Sequence, residues 1–458
     1  MGTQGCEAPV DMSTREASFR EVARMAAPII VSMLSMSILG LVDTWFMRFV
    51  GAGAQAAVGI GGPTIFSLLS LFLGTLSGLT TFVSQYFGAK KYHDCGVILW
   101  HILPIALFLG VACAFFINPL VWFCLETMKV NPEFIQETYD YLKVRIWAAP
   151  CVFISFSLLS FLRGLGNMRI PAIVSTSAVI LNIPLTYIFT FGCFGIPAFG
   201  VMGAAIGTAI AQCVEMICYG FAVFGRKYHK MFLTRQIVRP RLVTYKNYFK
   251  LSVPIGVSWA LEHLGWIVFG FYIGTLSKAE AAANAIVQSF LNMAFMPGLA
   301  ISIAATSLVG QYIGAKNIKN AEKTAYYSMY MAIVCLVTLG IVFLLLRHII
   351  AESFSTEADV IVITANLFIV GAFYQVFDAM GVTMAGALRG AGDTRFPMVI
   401  QILSIWIVMV PLVFWWGGIW GVFGAWYAAS AAIMVMGIFY LVRFRSGKWK
   451  NMGIAQSG

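Results

Sequence analysis

Twelve long apolar stretches constrain this chain more than any other feature of its sequence. They run roughly over 25–48, 55–86, 95–124, 140–162, 170–192, 200–224, 250–276, 281–312, 324–350, 360–388, 396–417 and 421–442. A helix needs about 20 mostly apolar residues to cross the hydrocarbon core of a bilayer, so each stretch is long enough to span it. Strands of a membrane barrel are shorter and alternate apolar with polar, a pattern this chain lacks. Only 11% of the 458 residues are charged and 60% are hydrophobic, whereas a soluble domain carries about 25% charged residues. Most of this surface must therefore face lipid.

High hydrophobicity also excludes a disordered chain. The net charge is +11, but the bases lie in short hydrophilic gaps, so no nucleic-acid partner is expected. The nine cysteines (6, 95, 113, 124, 151, 193, 213, 218 and 335) show neither CxxC nor metal-ligand spacing, and most sit in apolar runs as small hydrophobes. Met1–Arg20 lacks the basic segment, apolar run and cleavage site of a signal peptide. If the termini and every second loop share one face, that face holds 24 of the 30 Lys and Arg. The other face holds Arg48, Lys129, Lys143, Arg145, Lys278 and Arg347. Positive charge marks the cytoplasmic side, so both termini are expected there, in the inner (cytoplasmic) membrane.

The chain repeats itself. FVSQYFGAK at 82–90 returns as LVGQYIGAK at 308–316, and FLRGLGNMRIP at 161–171 returns as ALRGAGDTRFP at 387–397. Gln85 and Gln311, Arg163 and Arg389, and Pro28 and Pro254 are all 226 residues apart. The expected organisation is a tail 1–20, an N-lobe 21–224, a basic linker 225–249, a C-lobe 250–445 and a tail 446–458. Six spans is an even number, so the halves are parallel repeats, the arrangement of alternating-access transporters with a site between halves near the midplane. The repeated loop motifs read as architecture and hinge material, with Arg163 and Arg389 capping helix ends and meeting headgroups.

Four carboxylates fall inside apolar spans: Asp43, Glu215, Glu262 and Asp378. Along the sequence no Lys or Arg lies at comparable depth. An ionised acid at the bilayer centre costs about 3 kcal/mol on insertion scales, so each must hold a proton, a metal cation or a cationic ligand. Glu215 can be satisfied as packing by Ser, Thr or backbone; the other reading places it with Asn182 and Thr186 in an N-lobe ion or substrate site. Glu262 and Asp378 are two acids at similar depth in one half, which packing alone explains poorly. His263 follows Glu262 and points about 100° away around the helix, as a packing or hydrogen-bonding residue. Pro28, Pro184, Pro254, Pro297 and Pro411 favour bends lining a cavity. Asn182 and Thr186 flank Pro184 one turn apart and offer neutral oxygens on one side. Aromatic and Met residues lining that cavity would suit flat hydrophobic cations.

With VDTWFMRFVG at 42–51, QYFGAK and LRGxGxxRxP, the chain from about 20 to 445 resembles the multidrug and toxic compound extrusion (MATE) transporters, NorM-like branch. The resemblance implies an all-α membrane protein of twelve transmembrane helices, a V-shaped bundle of two lobes. It implies that Glu262, Asp378 and Tyr374 form a C-lobe cation site, which would hold Na⁺ if the protein is sodium-coupled. Asp43 matches the first-helix aspartate of the family and Asn182 an N-lobe asparagine. Thr186 stands where a second N-lobe acid would be, which favours the C-lobe pair. Pro28 matches a first-helix proline whose bending is linked to substrate release. The implied activity is efflux of organic cations in exchange for Na⁺ or H⁺ by a monomer surrounded by membrane lipid, with no cofactor. The alternative is a lipid-linked precursor flippase of a related fold, but the spans lack the cationic residues that a pyrophosphate needs. No HExxH, GxSxG or GxxxxGK[ST] supports an enzyme or an ATP-driven pump.

Overall fold

A computed structural model describes residues 12–127, 132–193 and 195–454. Cys6, Lys129 and the side chain of Cys124 lie outside the described residues. The chain forms α1 (Phe19–Met47), α2 (Ala52–Gly88), α3 (Tyr92–Thr127), α4 (Pro132–Trp147), α5 (Ala149–Gly164), α6 (Arg169–Phe191) and α7 (Gly200–Val223). There follow α8 (Arg226–Phe232), α9 (Leu242–Gly274), α10 (Lys278–Gly314), α11 (Ile318–Phe354), α12 (Ala358–Ala391), α13 (Arg395–Ile402), a π-helical stretch Leu403–Met409 and α14 (Val410–Arg445).

Ten helices are long and apolar enough to cross a membrane, and α4 with α5 makes an eleventh span bent by 50°. Pro150 sits in the first turn of α5 and withdraws a backbone donor at that bend. The last helical run, Arg395–Arg445, has 51 residues. As one helix it would be about 75 Å long, over twice the roughly 30 Å of a bilayer core. It breaks at Trp420 and Gly421, where the backbone leaves helical geometry, and so supplies two spans. Twelve spans result among the described residues. Pro28, Pro184, Pro254 and Pro297 are carried inside unbroken helices. Pro411 instead follows the π-helical stretch, where its missing N–H and its ring displace the hydrogen-bond ladder.

Gly421 has φ +58°, and a Cβ there would lie 2.3 Å from Glu280 Oε1. The same Oε1 accepts from Val422 N at 3.0 Å, while Glu280 Oε2 accepts from Ser277 N and Oγ at the start of α10. Glu280 thus staples the break to a capping box. Replacing it with Ala should cost roughly 1–3 kcal/mol through the lost cap and orphaned donors, read as a lower unfolding midpoint in detergent; an unchanged midpoint would contradict the staple.

Each half sends its first helix across to the other. Val22, Ala26 and Ile29 of α1 are buried with Ala300, Ile301, Leu308 and Tyr312 of α10, while Tyr248, Leu251 and Ile255 of α9 are buried with residues of α2. At the end bearing both termini, the repeated motifs interlock reciprocally. Gln85 Nε2 donates to Gly390 O at 2.9 Å, and its repeat mate Gln311 Nε2 to Gly164 O at 3.0 Å. Thr81 Oγ1 donates to Arg389 O at 3.0 Å, and its mate Ser307 Oγ to Arg163 O at 2.6 Å. A Cβ on Gly88 would lie 1.9 Å from Gln311 O, and one on Gly314 would lie 2.0 Å from Gln85 O. The motifs are therefore a latch between halves, more specific than general architecture.

Both termini reinforce this end. Before α1, Met12 is buried, and Asn317 and Asn320 Nδ2 donate to the carbonyls of Ser13 and Arg15 at 3.2 and 2.9 Å. After α14, Ile454 N donates to Gln85 Oε1 at 2.6 Å, so the Gln85 amide joins the opposite half and the C-terminal tail at once. The segment 225–249 is ordered too: it holds α8 and the start of α9, with Phe232 buried and Arg241 N donating to His101 Nε2 at 3.1 Å.

Candidate functional site

Glu262 reaches inward from α9, and Asp378 and Tyr374 from α12, so residues over 100 positions apart in sequence come together. Both acids are half-buried and close enough for their charges to act on each other. Glu262 Oε2 also accepts a hydrogen bond from Gln401 Nε2 of α13. Tyr374, one turn before Asp378, is buried with its ring stacked on Trp426, centroids 6.2 Å apart. Two carboxylates in a shared weakly hydrated space repel when both are ionised, and a single bound cation relieves that repulsion. Carboxylate oxygens also suit a hard cation such as Na⁺. His263 turns away, with Nδ1 2.7 Å from Trp259 O and its ring against Phe66 of α2 at 5.0 Å.

In the other half the sequence candidates also gather. Asp43, near the end of α1, meets Thr186 of α6, one turn from Asn182 on the same helix; Asn182 and Thr186 are 1% and 0% exposed. Thr186 Oγ1 lies beside Asp43 and donates to Asn182 Oδ1 at 3.1 Å. Asp43 Oδ1 and Asn182 Nδ2 are buried without hydrogen-bond partners. Glu215 lies apart, on α7, where Ser175 Oγ donates to its Oε1 at 2.8 Å. Pro28 is half-buried in α1, ahead of Asp43 on the same helix. Among the described residues no group of three or more His, Cys, Asp or Glu could hold a metal ion.

The fold brings a base within electrostatic reach of three of these acids, though among the described residues none forms an ion pair with them. Arg145 acts electrostatically on Asp43, Arg163 on Glu215 and Arg389 on Glu262. Arg163 and Arg389 are half-buried, and each lies within electrostatic reach of the acid of its own half. Linear depth misled because a long side chain at a helix end reaches a turn or more along its neighbours. Gln401 was missed altogether, since a neutral amide among apolar residues carries no charge signal.

The family model described as MatE matches this sequence twice, over residues 28–188 and 254–415. The chain belongs to the MatE family. MatE proteins are transporters and not enzymes, and the two matched segments start 226 residues apart, the spacing of the internal repeat. Among similar sequences is a probable multidrug resistance protein NorM of Pasteurella multocida, 28% identical over 410 residues, which are 88% of this chain and 87% of that one. Another is the probable NorM of Thermotoga maritima, 27% identical over 439 residues, 95% and 94% of the two chains. A solved structure of a multidrug resistance MATE transporter in an outward-facing conformation matches this fold with TM-score 0.86 at 19% identity, covering 99% and 100% of the chains.

Proposed function

We propose that this MatE protein is an antiporter that exports organic cations in exchange for H⁺ or Na⁺ by alternating access. The observation that carries the reading is the meeting of Glu262 and Asp378 from separate helices inside the membrane span. Relatives named as multidrug resistance proteins support the substrate class. The excess of bases on the terminus-bearing face supports assigning that face to the cytoplasm.

With the cytoplasmic latch closed, a cation from outside binds the acid pair and takes the charge that held the drug, which leaves. The latch opens, the coupling ion departs inward, and a new organic cation neutralises the acids. Competition for one set of charges makes the two flows reciprocal. Tyr374 supplies a hydroxyl and a ring wall at the pair, and Gln401 fixes the orientation of Glu262. Asp43 with Asn182 and Thr186 serves as an auxiliary polar site, and Pro28 as the bend point of α1. The single chain carries both halves of the site, so a monomer suffices.

Efflux of a fluorescent organic cation from proteoliposomes, under a Na⁺ gradient or a pH gradient imposed separately, tests this. One of the two gradients should drive efflux at least tenfold above the gradient-free rate. Efflux indifferent to both would end the antiport reading.

A further inference from the structure

Both halves build the same cradle, and each fills it with an acid from a different helix. In the C-terminal half Gln401 donates to Glu262, Tyr440 OH donates to Pro397 O at 3.0 Å, and the charge of Arg389 acts on the acid. Moving back 226 residues turns Gln401 into Ser175, Pro397 into Pro171 and Arg389 into Arg163. There, Ser175 Oγ donates to Glu215 Oε1 at 2.8 Å and lies 2.9 Å from Tyr219 OH, which donates to Pro171 O at 3.3 Å. Ser155 of α5 also faces the carboxylate, and Arg163 and Tyr219 are the titratable groups that face it. The acid comes from α7 in this half and from α9 in the other, so motif spacing alone does not reveal the equivalence.

We propose that Glu215 is a second exchange carboxylate, which takes up and releases a proton during the transport cycle with Arg163 as its internal counter-charge. This rests on the antiport reading above. Three features carry it. Arg163 faces Glu215 electrostatically yet makes no direct ion pair with it among the described residues, and its buried Nε has no partner. A permanently ionised acid would take that guanidinium directly, and a permanently neutral one would need no cation nearby; a guanidinium that acts on the acid without pairing to it suits both states. A metal cation would need several oxygen donors and would sit beside a fixed positive charge, whereas a proton needs one oxygen. Finally, the Arg163 carbonyl accepts the latch hydrogen bond from Ser307, so the residue that senses the charge on Glu215 also holds the two halves together. Loss or gain of the proton moves the side chain of a residue whose backbone is part of the latch.

The test is carbodiimide labelling of the full-length protein in lipid vesicles, since this reagent modifies protonated carboxyls in apolar surroundings, read peptide by peptide by mass spectrometry. Glu215 should be labelled at acidic pH, with labelling falling at least tenfold as pH rises. Arg163→Gln should extend that labelling towards higher pH. Glu215→Gln keeps the shape and the Ser175 hydrogen bond, so a packing role would survive it; dye export should nonetheless fall at least tenfold. Labelling that is absent or flat across pH, or full export by Glu215→Gln, overturns the proposal. Glu262 and Asp378 are read from separate peptides of the same sample, so failure of the C-terminal site is seen independently of Glu215.

Discussion

Glu262→Gln should abolish gradient-driven drug export while leaving the protein folded. The substitution keeps the size of the side chain and a partner for Gln401, so the cost falls on charge and not on packing. What disappears is one of the two negative charges that a cation or a drug would neutralise. A loss of about 1.4–3 kcal/mol in drug binding corresponds to roughly 10–100-fold weaker affinity. Coupling suffers more than binding, because a site that no longer changes charge has nothing to exchange. Asp378→Asn should behave alike, and the double variant should be no worse than either single one, since residues acting as one unit are not additive. The check is dye export in proteoliposomes alongside equilibrium binding of the dye, with size-exclusion elution as the test of folding. Normal export by Glu262→Gln, or additive losses in the double variant, would dissolve the pair as a functional unit.

Hydropathy made the twelve spans legible because a bilayer imposes a length that sequence must satisfy. Even the junction of the last two spans, expected between 417 and 421, falls at Trp420 and Gly421. The bend between α4 and α5 was not legible, because it depends on one proline, Pro150, inside a continuous apolar run. The four acids within the spans were legible because charge in an apolar stretch is rare. The bases that act on them were not: Arg145, Arg163 and Arg389 sit near helix ends in sequence and come within electrostatic reach of the acids only through the packing of neighbouring helices. Gln85 and Gln311 stood out as a repeat, yet their purpose depends on crossing to the opposite half, which identity between halves does not reveal. Repetition indicated which residues matter; contact between the repeats showed what they do.

Gly314→Val should hold the terminus-bearing face open and stop export. At this position α10 crosses α2 backbone to backbone: a Cβ would lie 2.0 Å from Gln85 O, and the mate of this contact places a Cβ on Gly88 1.9 Å from Gln311 O. A carbonyl fixed within a helix cannot move aside as a flexible side chain tip can, and close-packed interiors transmit such strain instead of absorbing it. The closed latch depends on four reciprocal hydrogen bonds, together worth only about 2–6 kcal/mol at the usual net value of each. A backbone clash of several kcal/mol therefore exceeds what holds the face shut, and about 5.5 kcal/mol is enough to move an equilibrium from 99:1 to 1:99. Gln85→Ala and Gln311→Ala make the milder comparison, each removing one of the four bonds, so they should weaken closure by about 1 kcal/mol and slow export only a few-fold. Single-cysteine reporters on this face, probed with a membrane-impermeant thiol reagent in oriented vesicles, would read the population directly. Gly314→Val should raise reporter labelling at least tenfold over the parent, and the glutamine variants two- to fivefold. The order of these effects is the decisive part: if alanine at Gln85 opened the face as far as valine at Gly314, side-chain bonding and not backbone approach would govern closure. If neither opened it, the interlocked motifs would be packing without a gating role.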